Sequence, residues 1–138
     1  KLYNKVELQE IVNVNSKKLN LKMSDKASIF VTKISRGTPR IANAALEWLR
    51  DYCIAQGSET LSESDVEAAM GMKGIDSDGM TEMDRKYLET LKTSGQPLGI
   101  ETLSCMTGID RQTIEGIIEP WLLQNSKIIK TSKGRVCV

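Results

Sequence analysis

Arg36-Gly37-Thr38-Pro39-Arg40-Ile41-Ala42-Asn43 sets a sharp turn directly before a helix start, and the rest of the chain is laid out around it. Gly37 permits a tight approach to that start. Thr38 is a good N-cap residue, and Pro39 follows at the first helical position, where a helix tolerates proline. Arg40 then falls in the first turn. A cation there faces the positive end of the helix dipole, at a cost of about 0.3–1 kcal/mol. Two readings follow. Arg40 reaches a nucleotide phosphate supplied from outside this stretch, since helix N-termini attract phosphates, or it is a solvated arginine at a well-capped helix start.

On either side of this turn the apolar spacing is helical. Val6, Leu8, Ile11, Val12 and Val14 predict a first amphipathic helix ending near Leu19, with Leu21 in a short connection. Ser24 and Asp25 offer a cap for a second helix through Ala27, Ile29, Phe30, Val31 and Ile34. The third helix runs from Pro39 over Ile41, Ala42, Ala45, Leu46, Leu49 and Ile54, and Gly57 stops it. Ser62 with Asp65 resembles a capping box for a fourth helix, over Val66, Ala69 and Met70 to Gly71. Residues 71–80 are rich in Gly and Asp and read as a linker. Asp76 and Asp78 before Gly79 lack the further oxygen ligands of a calcium loop, so that reading is rejected.

Past the linker, Thr81 caps a fifth helix carrying Met83, Tyr87, Leu88 and Leu91, broken at Gly95-Gln96-Pro97-Leu98-Gly99. A short helix from Ile100 to Met106, Gly108, and a long helix opening near Asp110-Arg111 give a helix-turn-helix spacing. Pro120 in the long helix predicts a bend near Glu119. Two β-like runs, 127–130 and 135–138, joined by Thr131-Ser132-Lys133-Gly134, predict a hairpin. Three helices followed by a hairpin make a winged helix. The fold class is therefore mainly α: a four-helix bundle over 1–73, then a winged-helix domain with a small C-terminal β-hairpin over 74–138.

Composition narrows the function. Among 138 residues with a net charge of +1 there is no histidine, which removes the commonest general base. Three cysteines, Cys53, Cys105 and Cys137, lie far apart, so neither a disulfide framework nor a zinc site is expected. No apolar run approaches a membrane span and no signal-peptide core is visible, making a cytosolic protein the default. Charge is unevenly placed. Residues 1–50 carry ten Lys or Arg against Glu7, Glu10, Asp25 and Glu47, a net of +6. Residues 59–84 carry eight carboxylates against Lys73. From Trp121 onward Lys127, Lys130, Lys133 and Arg135 meet no acid. Lys130, Lys133 and Arg135 are spaced to project from the wing toward a phosphate backbone; the other reading is an edge hairpin whose lysines prevent sheet aggregation. No phosphate loop of the form G-x-x-x-x-G-K-[ST] occurs, nor a strand ending in paired acids for magnesium, so this chain should not hydrolyse ATP by itself. Trp48 and Trp121 read as packing residues.

Arg36 to Asn43 is similar to the sensor-2 segment of the RuvB family, bacterial Holliday-junction branch-migration motors of the AAA+ class. Gly74-Ile75-Asp76, Asp84-Arg85-Lys86-Tyr87-Leu88, Thr113-Ile114-Glu115, Ile118-Glu119-Pro120-Trp121-Leu122 and Gly134-Arg135-Val136 recur in the family's order and spacing, covering nearly the whole chain. The resemblance implies the small AAA+ lid domain and the winged-helix domain, without the large ATPase domain that precedes them. The start at Lys1 is read the same way, as that of a fragment. The resemblance implies that Arg40 is the sensor-2 arginine on the γ-phosphate of ATP, with Pro39 near the base or sugar and Tyr3 packed on adenine. ATP with Mg2+ would sit on the absent domain. The intact protein would be an ATP-dependent DNA helicase and ATP hydrolase. It would form a homohexamer on duplex DNA at Holliday junctions, with RuvA and RuvC as partners, in bacterial cytoplasm during recombination, repair and the SOS response. The RuvA-binding surface would lie on the absent domain. One departure concerns the helix after the sensor, where the family is richer in arginine and this chain has Ala44, Ala45, Glu47 and Trp48. A reading from another class is a non-enzymatic winged-helix DNA-binding or regulatory module. It predicts sequence-specific recognition by the helix after Asp110, which presents Glu115 and Glu119 and few cations, poor groups for reading a major groove.

Overall fold

A computed structural model describes residues 3–138, so Lys1 and Leu2, the first residues of the expected 1–73 domain, lie outside the described residues. The chain is mainly helical and divides into two compact units, Lys1–Met80 and Thr81–Val138. The sequence places the break at 73/74, whereas residues 74–80 sit with the first unit, where Ile75 packs on its core. Asp76 ties this segment into a tight turn by accepting N–H groups from Asp78 (2.9 Å) and Met80 (3.0 Å).

The first unit holds α1 (Lys5–Lys18), α2 (Asp25–Ile34), α3 (Pro39–Gln56) and α4 (Glu63–Gly71). The starts follow from their caps. Asn4 and Ser62 form capping boxes with Glu7 and Asp65, and Ser24 accepts the Ala27 N–H. Gly57 ends α3 in the left-handed region at φ 67°. Each helix turns one stripe inward: Leu8 and Val12 from α1, Phe30 and Val31 from α2, Leu46 and Leu49 from α3. Val6, Val14, Ile29 and Ile54, expected on these stripes, are exposed. Ile54, for example, stands about 100° round the helix from Cys53, which continues the buried stripe through Leu46 and Leu49. A feature with no signal in the sequence joins the loops: β1 (Lys22–Met23) pairs in parallel with β2 (Thr60–Leu61). Two-residue strands are too short for periodicity to reveal.

The second unit contains α5 (Glu82–Ser94), α6 (Ile100–Thr107), α7 (Arg111–Thr113), a π-helical turn (Ile114–Ile118), α8 (Glu119–Gln124), β3 (Ile128–Thr131) and β4 (Gly134–Cys137). Thr81 and Asp84 form the α5 capping box, and Gly95 and Gly108 close α5 and α6. The irregularity expected ahead of Pro120 is a π turn, with the Glu119 N–H bonded to the Ile114 carbonyl. Pro120 has no N–H to give, and its ring would crowd the carbonyl four residues earlier; the wider turn accommodates both facts. The hairpin register pairs Thr131 with Gly134, so Ser132 and Lys133 alone form the turn, two residues where four were expected. Leu98 adds a single bridge on the other edge of β4. Its N–H and carbonyl exchange bonds with Arg135 at 3.1 and 2.7 Å. A Cβ on Gly134 would stand 2.6 Å from the Leu98 carbonyl carbon and oxygen, so only glycine allows this approach.

Candidate functional site

The first candidate is the turn between α2 and α3. Ser35 is buried and closes α2 by donating its hydroxyl to the Val31 carbonyl (2.6 Å). Arg36 and Gly37 then both take positive φ, 55° and 73°, reversing the chain within two residues. A non-glycine residue in that region is held by its surroundings. The Arg36 guanidinium donates from Nη2 to the Gly79 carbonyl (3.1 Å), a structural task that leaves phosphate contact to Arg40. The Tyr3 N–H donates to the Gly37 carbonyl (2.8 Å), which brings Tyr3 to the turn that carries Pro39 and Arg40. Thr38 stands at the N-cap position with extended backbone, yet its hydroxyl caps no N–H of α3 and lies 3.4 Å from the Arg36 carbonyl. The expected Thr38 cap is thereby corrected: two successive left-handed residues aim the hydroxyl back along the turn. The first turn of α3 holds no acidic residue. Arg40 is exposed, and among the described residues it has no hydrogen-bond or ion-pair partner. A first turn with uncapped N–H groups and an uncommitted arginine suits an anion.

The departures in α3 have their own roles. Trp48 is half-buried and donates from Nε1 to the Ala69 carbonyl (2.9 Å), tying α3 to α4, and the Lys73 ammonium lies 4.3 Å from its ring centre. Ala45 is in the core.

The second candidate is the hairpin. Lys133 sits at the turn, exposed. Lys130 and Arg135 are register partners and share a face. That face looks inward. Arg135 donates from Nε (2.7 Å) and Nη2 (3.3 Å) to the two carboxylate oxygens of Glu119, and its side chain is only 17% exposed. The Lys130 ammonium lies 3.4 Å from Glu119 Oε1 while its side chain remains half-exposed. The Tyr87 hydroxyl donates to Glu119 Oε2 at 2.5 Å. Free projection of Arg135 from the wing is therefore corrected: a buried carboxylate under the hairpin draws its guanidinium in. The expectation that Glu119 faces outward is corrected as well, since it is fully buried, and Glu115 pairs with Arg111 at 2.6 Å. Burial pushes the Glu119 carboxyl upward, but the hydrogen bonds from Arg135 and Tyr87 and the charges of Arg135 and Lys130 outweigh it, and the group lies below the usual carboxylate range. Burial, then the Glu119 hydrogen bond, pushes the Tyr87 phenol far above its ordinary value.

Sequence reasoning did not find this cluster. Its signal was an acid inside the apolar run Ile117-Ile118-Glu119-Pro120-Trp121-Leu122, where burial demands cationic and hydrogen-bonding partners. The described residues contain no group of three or more His, Cys, Asp or Glu placed to hold a metal. None of their helices is long and apolar enough to cross a membrane.

With this geometry in hand, the chain compares closely with known proteins. The family model for the RuvB AAA lid domain matches residues 3–76, and that for the RuvB C-terminal winged helix domain matches residues 77–137. The Holliday junction branch migration complex subunit RuvB of Fusobacterium nucleatum is 39% identical over 136 residues, covering 97% of this chain and 41% of that protein. The subunit of the same name from Rubrobacter xylanophilus is 40% identical over 136 residues, covering 97% of this chain and 38% of its own length. The solved structure of the Thermotoga maritima RuvB Holliday junction branch migration motor superposes with a TM-score of 0.89 at 31% identity, over all of this chain and 47% of that one. The chain thus spans about two fifths of the curated relatives it matches. Two consecutive segments that together span nearly the whole chain match the RuvB lid and winged helix models in order, and the chain belongs to the RuvB family.

Proposed function

We propose that this chain is the nucleotide-sensing and DNA-gripping part of an ATP-driven motor for Holliday junction branch migration in recombination and repair. The observation that carries the reading is the match of both units, in order, to the RuvB lid and winged-helix domains. The first unit serves as the lid and the second as the winged helix. Arg40 contacts the γ-phosphate of ATP, Pro39 borders the base or sugar, and Tyr3 packs on adenine. The exposed Arg40, unpartnered among the described residues, on an α3 start without a side-chain cap or a first-turn acid supports this. A guanidinium there stabilises charge on the phosphoryl group and makes lid position depend on whether a γ-phosphate is present. Mg2+, the phosphate loop and the hydrolytic machinery belong to a large ATPase domain outside this chain, so the chain alone is inactive.

The winged helix grips the duplex backbone without reading sequence, as a motor that slides along any DNA requires. Lys133 at the turn and the half-exposed Lys130 supply the phosphate contacts, while Glu119 holds Arg135 beneath them. A sequence-reading module is not favoured, because the Arg111 guanidinium at the start of the helix after Asp110 is taken up by Glu101 and Glu115, and beyond Gln112 the helix exposes Glu115, Gly116 and Ile117, groups without paired donors for a base edge. In the intact protein we assign a cytoplasmic homohexamer on duplex DNA that works with RuvA and RuvC, the RuvA surface lying on the ATPase domain.

The test is turnover by a longer protein containing the ATPase domain. Arg40→Ala should lower DNA-stimulated ATP hydrolysis about a hundredfold or more, the loss expected for a transition-state contact of roughly 3 kcal/mol, with the circular dichroism spectrum unchanged. Unaltered hydrolysis in that variant would remove Arg40 from the nucleotide site.

A further inference from the structure

Glu119, Tyr87 and Arg135 come from three separated stretches of the chain and meet inside the second unit. Each is fixed by a different element: Tyr87 by α5, Glu119 by the first turn of α8, and Arg135 by β4. The π turn accounts for the inward direction of Glu119. In an unbroken α-helix a residue five places on stands about 140° round the barrel from its starting point. The bond from the Glu119 N–H to the Ile114 carbonyl brings Glu119 back over buried Ile114. The hairpin has few other anchors. Ile128 is its one buried apolar side chain, Ile129 is exposed, and Arg135 is bracketed by the Leu98 bridge on the backbone side and by Glu119 on the side-chain side. Lys130, one residue before the turn-side end of β3, reaches the same carboxylate.

The geometry points to Glu119 as the positioning residue of the wing: its carboxylate holds Arg135 and Lys130 from beneath, and so fixes the angle at which the hairpin presents Lys133 and Lys130 to a duplex phosphate backbone. This rests on the nucleic-acid interface proposed above. It carries an unusual sign. Glu119 is an acid beneath a surface that binds a polyanion. By charge alone, neutralising it adds one positive charge and strengthens duplex binding. As a positioning residue, its loss lets the hairpin swing and weakens binding.

The experiment compares this chain with Glu119→Gln and Glu119→Asp, each titrated with a short mixed-sequence duplex over a range of salt, alongside Lys133→Ala. Glu119→Gln keeps the length and removes the charge. Glu119→Asp keeps the charge and withdraws it by one methylene from Arg135 and Lys130. The expected result is weaker binding by both, roughly threefold to tenfold, the equivalent of one or two phosphate contacts, with the salt slope reduced by about one. Amide exchange should accelerate at Ile129 and Arg135 and stay slow in α5 and α6. If Glu119→Gln fails to fold, Glu119→Asp decides. Binding that is unchanged or tighter in the folded variants overturns the proposal, whatever the exchange shows. When Lys133→Ala weakens binding and the Glu119 variants do not, the interface stands and only the positioning role falls. A chain whose duplex binding is absent, or indifferent to Lys133, overturns both.

Discussion

Glu119 holds a charge out of water in return for four contacts: two from Arg135, one from the Tyr87 hydroxyl and one from the Lys130 ammonium. Removing such a carboxylate leaves a guanidinium without its counter-ion, so Glu119→Ala should destabilise the second unit by about 3 kcal/mol, read by urea denaturation. The same carboxyl sets an acid limb. Its value in the folded chain lies below that of the unfolded chain, about 4.3. Its stabilisation is therefore present above that value and is lost as pH falls through the folded-state value. A denaturation series from pH 6 to pH 3 should show that fall, and Glu119→Gln should flatten it. Tyr87 works at the other end. Its phenol is raised, so its contribution is complete below the ordinary tyrosine value of about 10 and declines as pH rises beyond it. Arg40 is the contrasting case, exposed and unpartnered among the described residues. Arg40→Ala should leave stability within about 0.5 kcal/mol, so that any loss of ATP turnover reports on the nucleotide and not on the fold.

Among the elements, the hairpin is the one whose position depends most on single atoms. Gly134 takes φ 132° and lies against the Leu98 backbone. Gly134→Ala would force that bridge apart at an expected cost of about 1–3 kcal/mol, measurable as a lower urea midpoint, and should loosen the wing, the effect also expected of the Glu119 variants. The helix starts are local by comparison. Ser62→Ala removes half of the α4 capping box and should cost about 1 kcal/mol in the first unit. Legibility divides along the same line. The helix boundaries at Ser24, Gly57, Ser62, Thr81 and Gly95 were readable because each depends on hydrogen bonds within four residues or on one glycine φ. The β1–β2 pair and the Leu98–Arg135 bridge were not, because each joins segments more than thirty residues apart. The π turn lies between the two kinds: Pro120 announced an irregularity, but its form depended on which side chains were buried beneath it.

For the molecule as a whole, charge placement gives a test that no single contact does. Lys133→Ala should weaken duplex binding by about the same factor on every sequence and lower the salt slope by about one. A factor that varied with sequence would instead favour base readout. The order of the two units, the turn before α3 and the basic hairpin were all evident in the sequence, because turn chemistry, apolar period and motif spacing are properties of neighbouring residues. The break between the units falls at the far end of the Gly- and Asp-rich linker over 71–80 and not at 73/74, since Ile75 packs back on the first core. The sequence by itself determined a mainly helical chain of two parts, a helix start with an arginine in its first turn, and a terminal hairpin rich in lysine and arginine. Only the tertiary structure decided that Thr38 leaves α3 without a side-chain cap, that Arg135 supports the wing from within, and that Glu119 and Tyr87 take part. The reason is physical: a carboxylate and a guanidinium distant in sequence commit to each other only where packing removes both from water and brings them within 3 Å.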